Sequence, residues 1–212
     1  MNATLHYVFD PLCGWCYGAS TTISGLSGKP GVQLELVPSG LFSGAGARPM
    51  DDEFAAYAWS NDQRIGRLTG QHFSDRYRSD VLADRQQMLD SGPATVALTA
   101  VARTAPDREL EALVAIQRAR YVHGLDVTRL DTLREVLRTL GLEAAAALLE
   151  QPDATLLEAT RRRMAHAQSL LKEFGARGVP TLILDQGGNR QLLDASSMYS
   201  NPQGFVDQFA AA

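Results

Sequence analysis

Two cysteines, Cys13 and Cys16, stand two residues apart just beyond an apolar run, Leu5-His6-Tyr7-Val8-Phe9, and the 212-residue chain holds no others. The run is short, apolar and β-rich, as a buried strand is. Asp10-Pro11 breaks the extension. From Cys13 onward Tyr17, Ala19, Ile23 and Leu26 allow a helix, with Gly25 and Gly28 near its end. A Pro30-Gly31 turn follows, and Val32 to Val37 alternates with period two, a second strand. The result is a βαβ unit with Cys13 where the first strand hands over to the helix. A bridge across so few residues closes a short loop and removes little entropy from the unfolded chain. A chain of this length also buries about 70% of its unfolded surface and needs no staple. The pair therefore reads as a redox centre.

The rest of the chain changes character twice. Residues 38–50, with Pro38, Gly40, Gly44, Gly46 and Pro49, form a loop whose glycines lack the spacing of a phosphate cradle. From Asp51 to about Pro152 the patterns are helical, with Pro93 suited to a first helical turn. Leu130, Leu133, Val136, Leu137 and Leu140 recur at helical spacing until Gly141. Leu157, Thr160, Met164, Ala167, Leu171 and Phe174 step along another amphipathic helix. After Gly178, Thr181 to Leu184 reads as a strand, Gly187-Gly188 as a turn and Arg190 to Leu193 as an antiparallel return. Pro202 to Ala211 closes as a helix. The order is β-α-β, a helical block, then β-β-α, with expected divisions at 1–44, 45–155 and 156–212.

Net charge is −4 with both signs spread along the chain, so no basic face suits nucleic acid or an anionic membrane. Arg161-Arg162-Arg163 sits on a helical pattern and reads as a solvated face. No segment is long and apolar enough to span a membrane. The first residues lack the basic start of a secretory signal, which leads to a cytoplasmic expectation. In that compartment a Cys-x-x-Cys is catalytic or metal-binding more often than structural. His6, His72, His123 and His166 are isolated and show no paired ligand spacing, so the sequence yields no metal site.

A thiolate is the nucleophile in disulfide exchange. Cys13, at the helix start, is expected to be exposed and to attack, its anion held by free N–H groups and the positive end of the backbone dipole. Cys16, one turn in, is expected to be more buried and to resolve the mixed disulfide. Gly14 and Trp15 bring no positive charge, so any lowering of the Cys13 pKa falls mostly to the helix and is modest. Trp15 reads either as packing or as part of a peptide groove. Asp10 is close enough to influence the thiolate.

Asp10-Pro11-Leu12-Cys13-Gly14-Trp15-Cys16-Tyr17-Gly18 after a strand, with Gly178-Val179-Pro180-Thr181-Leu182 before another, resembles the DsbA-like branch of the thioredoxin superfamily. Gly92-Pro93-Ala94-Thr95 resembles a segment common there. The resemblance implies an α/β thioredoxin-like fold with a large α-helical insertion. It also implies a cis Pro180 beside the cysteines, presenting the Val179 backbone to an extended substrate as one more strand. Two departures stand out. Periplasmic oxidases of the family often carry Pro-His where this chain has Gly14-Trp15. They also hold a buried acid where this chain has Tyr7, a role Glu35 could take only if its side chain points inward. Both departures bring the chain nearer to a subgroup of protein-disulfide isomerases.

The expected activity is thiol–disulfide exchange with protein or small-molecule substrates, through Cys13 and Cys16 with Trp15, Val179 and Pro180 contacting substrate. No metal or organic cofactor is expected, with glutathione a possible reductant and a homodimer possible. Two alternatives stay open. One is a glutathione-dependent isomerase or transferase of the related kappa-type or 2-hydroxychromene-carboxylate-isomerase branch, which usually has serine in place of Cys13. The other is a peptide-binding chaperone without redox turnover.

Overall fold

β1 (Ala3–Phe9) is the spine of the computed structural model, which describes residues 3–209. β2 (Val32–Pro38) runs parallel along one side of it and β5 (Thr181–Gln186) antiparallel along the other. β6 (Asn189–Leu192) pairs with β5, giving the order β2-β1-β5-β6. Alternation along β1 sorts its side chains by face. Leu5, Tyr7 and Phe9 enter the main core with Ala19, Ile23 and Leu26 of α1 (Gly14–Leu26). Val8 packs on the other face with Val37, Ile183, Ala167 and Leu170, the last two from α7 (Ala154–Glu173).

Between β2 and α7 the chain forms the helical insertion: α2 (Asp52–Thr69), a π-helical turn at Tyr77–Leu82, α3 (Gly92–Thr104), α4 (Glu109–Tyr121), α5 (Leu130–Thr139) and α6 (Glu143–Leu148). Asp51 caps α2 by accepting from the Phe54 N–H, and Asp153 caps α7 through the Leu156 N–H. Pro93 lies in the first turn of α3, and Gly141 ends α5 at φ +69°. α3 is buried along Ala94, Ala97, Leu98 and Val101. The α/β thioredoxin-like architecture with its large helical insertion is as expected.

Three details differ from the sequence reading. The 38–50 loop and the helical block each contribute a two-residue strand, β3 (Arg48–Pro49) and β4 (Met88–Leu89), which pair antiparallel. Two residues carry no periodicity to detect. The buried stripe of α7 runs through Leu156, Thr160, Ala167 and Leu170, while Leu157 is exposed. At the chain end, α8 (Ser197–Ser200) and α9 (Pro202–Asp207) are short, and residues 210–211 of the expected closing helix lie outside the described residues.

α1 and α2 cross closely because α1 presents Gly14 and Gly18 to its neighbour. A Cβ on Gly14 would collide with Asp62 Oδ1, and one on Gly18 would sit 2.6 Å from Ile65 Cγ2. Residues four apart share one side of a helix, so the two glycines make a shallow seat for α2. That seat brings an acidic side chain of the insertion to Gly14, the first of the two residues between the cysteines.

Candidate active site

Cys13 is the N-cap of α1: its backbone N–H donates to the Asp10 carbonyl at 3.1 Å, and its carbonyl accepts from Tyr17 N–H at 3.0 Å. The Cys13 thiol points to the cis Val179–Pro180 peptide and donates to the Val179 carbonyl at 3.6 Å. The expected meeting of Cys13, Val179 and Pro180 is thus present. Cys13 and Cys16 are not bridged to each other. Cys16 is fully enclosed and Cys13 retains 8% exposure. Burial pushes the Cys16 thiol well above the usual range, and the adjacent Cys13 sulfur pushes the same way. The inner cysteine therefore holds its proton.

The expected exposed position of Cys13 is corrected: the insertion closes over it. Tyr121 O–H donates to the Leu12 carbonyl at 2.6 Å. Tyr17, Phe73, Tyr77 and Tyr121 form an aromatic cluster, with Tyr17 stacked on Tyr121 at 4.8 Å. What remains is a cavity of about 290 Å3 lined by Cys13, Trp15, Asp62, Tyr77, Arg120 and Tyr121, among others, with exposed Tyr57 and Arg48 also bordering it. Trp15 is packed on one side and borders the cavity on the other. Its ring meets Tyr199 edge-on at 5.2 Å and has the Arg64 guanidinium 5.8 Å from its centre, while it also lines the cavity. Val179 and Pro180 do not line this cavity, so Cys13 joins two distinct surfaces. A larger groove of about 650 Å3 between α4 and α5 contains neither cysteine.

Two groups in the cavity come from the insertion and were missed in the sequence. Arg120 of α4 is 1% exposed, and its Nε and Nη1 lack hydrogen-bond partners. Its guanidinium lies 5.4 Å from the Tyr77 ring centre and 5.7 Å from that of Tyr121, which offers cation–π attraction. Asp62 of α2 accepts from Tyr77 O–H at 2.9 Å. Burial raises its carboxyl to about 7, against the lowering effects of that hydrogen bond and of Arg120. No spacing links these residues to the cysteines; only the Gly14–Gly18 seat hints that something must approach.

Asp10 is a different kind of buried acid. It accepts from Leu12 N–H at 2.9 Å, Phe42 N–H at 3.2 Å and Ser91 O–H at 2.7 Å. Burial raises its pKa while these donors oppose the rise. It ties the turn before Cys13 to the loop after β2 and to the start of α3.

Glu35 does not supply the inward acid. It pairs in register with His6, on the α7 side of the sheet, and its carboxylate lies 2.8 Å from His6 Nδ1. Tyr7, on the cysteine side, donates its O–H to the Cys16 carbonyl at 3.3 Å. Burial raises its pKa well above the phenol range, so Tyr7 stays neutral.

A cysteine pair opening a helix, set against a cis-proline loop at the edge of a helical insertion, defines a thioredoxin-fold protein of the disulfide-exchange class. A model of the DSBA-like thioredoxin domain matches residues 4–200. The chain belongs to that family. It is similar to the cytosolic disulfide reductase DsbM from Pseudomonas aeruginosa, at 32% identity and TM-score 0.89 over 98% of this chain and 97% of that one. The same reductase with glutathione aligns at 30% identity and TM-score 0.83, over 98% of each chain. A protein-disulfide-isomerase candidate from Nitrosomonas europaea, at 22% identity and TM-score 0.79 over 100% and 97% of the chains, shares the fold. No curated protein matches significantly in sequence. No helix among the described residues is long and apolar enough to cross a membrane.

Proposed function

We propose that this chain is a cytosolic thiol–disulfide oxidoreductase that reduces disulfides and is reset by a small anionic thiol of the glutathione class. The observation that carries the proposal is the cavity bringing Cys13 together with the buried Arg120 guanidinium, whose Nε and Nη1 lack hydrogen-bond partners. Buried cationic N–H groups left without an acceptor are costly, and a carboxylate on an entering thiol would satisfy them with charge-assisted hydrogen bonds. The likeness to a cytosolic reductase that has been seen with glutathione supports both the direction and the thiol class.

In the reductive half, the Cys13 thiolate attacks one sulfur of a substrate disulfide. A Cys13–substrate disulfide forms, and the other substrate sulfur leaves as a thiolate. Cys16 then loses its proton and attacks the Cys13 sulfur, which releases the second thiolate and closes the Cys13–Cys16 disulfide. Two electrons pass from the protein to the substrate. Two small thiols return them and leave as their own disulfide. Because Cys16 is enclosed and holds its proton, the resolving step needs an acceptor. Asp62, packed against Gly14 and bordering the cavity beside Cys13, is the group we assign to take that proton through water. Val179 offers its backbone to an extended substrate on the other side of Cys13.

Reduction of insulin and of oxidised glutathione, each coupled to a thiol reductant, tests the proposal. Wild type is expected to turn over both, and Cys13→Ser neither. Activity in Cys13→Ser equal to wild type would overturn it. The retained Cys16 argues against the transferase alternative; S-alkyl glutathione binding without disulfide turnover would restore it.

A further inference from the structure

On the face of the sheet away from the cysteines, three residues far apart in sequence converge: His6 on β1, Glu35 on β2 and His166 on α7. One donor atom from each lies within 4.8 Å of the other two. His6 Nδ1 is 2.8 Å from Glu35 Oε2, and His166 Nε2 is 3.9 Å from Glu35 Oε1. The imidazole rings stand edge to face with centres 6.3 Å apart.

The decisive member is His6. It is 6% exposed, and neither ring nitrogen has a hydrogen-bond partner. The Glu35 contact is short, yet it lies off the line that a hydrogen bond to Nδ1 requires. A buried polar ring left in this way is costly. A ligand bound at the ring would offset that cost. Glu35 is not claimed by Arg163 either. Arg163 reaches Glu109 at 2.5 Å and the Leu36 carbonyl at 2.9 Å, and the ion-pair partners of Glu35 among the described residues are the two histidines.

We propose that His6, Glu35 and His166 form a site for a zinc-class divalent cation. Two imidazoles and one carboxylate are a common zinc donor set, with metal bonds of about 2.0–2.2 Å and tetrahedral geometry, so that donors sit about 3.3 Å apart. Glu35 turns one oxygen to each imidazole, Oε2 to His6 at 2.8 Å and Oε1 to His166 at 3.9 Å, on either side of that value. The half-exposed His166 side chain has room to close the wider gap, while the strand register fixes His6 opposite Glu35. Glu35 also lines a cleft of about 630 Å3 with Gln33, Asp107, Glu109 and Arg163, an approach for a hydrated ion. A bound cation would tie α7 to both parallel strands, independently of the redox reading.

The test is zinc titration of the full, tag-free chain with Cys13 and Cys16 closed as a disulfide, so that neither thiolate competes. Calorimetry is expected to show one zinc per chain. Cobalt in place of zinc is expected to give the visible bands of low-coordinate cobalt. His166→Ala and Glu35→Gln change half-exposed side chains and leave the fold intact by circular dichroism. Each is expected to weaken zinc binding by at least about tenfold, since even groups that only support ligands cost 10–100-fold, and to abolish the cobalt bands. Absence of zinc binding, or binding that either substitution leaves within about tenfold of wild type, would overturn the site.

Discussion

Two buried aspartates border the attacking cysteine, and they are built in opposite ways. Asp10 has donors on both carboxylate oxygens, two backbone N–H groups and the Ser91 hydroxyl. Asp62 has one neutral donor, Tyr77 O–H, and looks into the cavity beside Cys13. Burial acts on both in the same direction. The difference lies in what surrounds the charge. A carboxylate fixed by backbone amides holds a turn in place, whereas one left nearly free in a buried cavity has lone pairs to spare for a proton. Proximity to the cysteines alone does not tell a structural acid from a chemical one; the number of donors does.

The largest effect is expected on the Asp10 side. Asp10→Ala would leave Leu12 N–H, Phe42 N–H and Ser91 O–H buried without an acceptor, at about 1–3 kcal/mol for each group that finds no water. A loss of about 3–5 kcal/mol in urea unfolding is expected, and a change below 1 kcal/mol would erase the contrast. Asp62→Asn is expected to spare the fold and lower turnover about 100-fold at pH 7–8, the range for removal of a general acid–base group.

The same substitution has a stability signature. Asp62 binds its proton more tightly in the folded chain, about 7 against an ordinary 3.8. The folded state gains from this below the ordinary value and loses the gain as pH climbs through about 7. That difference corresponds to about 4 kcal/mol. Wild type should therefore lose stability between about pH 4 and 7, and Asp62→Asn should flatten that slope. An unchanged slope would remove Asp62 from the scheme.

A smaller effect is expected at Arg120. Arg120→Met should raise KM for glutathione about 10–100-fold, the worth of a charged hydrogen bond, with reactivity toward an uncharged disulfide kept. Equal losses on both substrates would mean that the guanidinium is packing alone. The smallest is Ser91→Ala, which removes one of the three donors to Asp10. A loss of about 1 kcal/mol with an unaltered activity–pH profile is expected, since Ser91 belongs to the structural side.

The sequence discloses what is local. The strand before Cys13 and the helix after it follow from short-range pattern, whereas the cis Pro180 beside the cysteines came from the family resemblance. Asp62 and Arg120 lie on helices where an acid and a base are ordinary surface residues, and only tertiary packing turns them inward. Glu35 shows the same limit at closer range. Its strand was legible, but which face it occupies depended on its register with His6. The two histidines looked isolated because a sheet and a helix, not spacing, bring them together.

The seat that Gly14 and Gly18 make for α2 reaches beyond packing. The residues between the two cysteines are usually regarded as a dial that sets redox potential and can be turned freely. Here the first of them is also a spacer, and any bulkier residue would push Asp62 off its perch as it retuned the sulfurs. Grafting another protein's dipeptide into this loop would change the electron-transfer poise and the proton route together. The two could be separated only by trimming α2 in the same stroke.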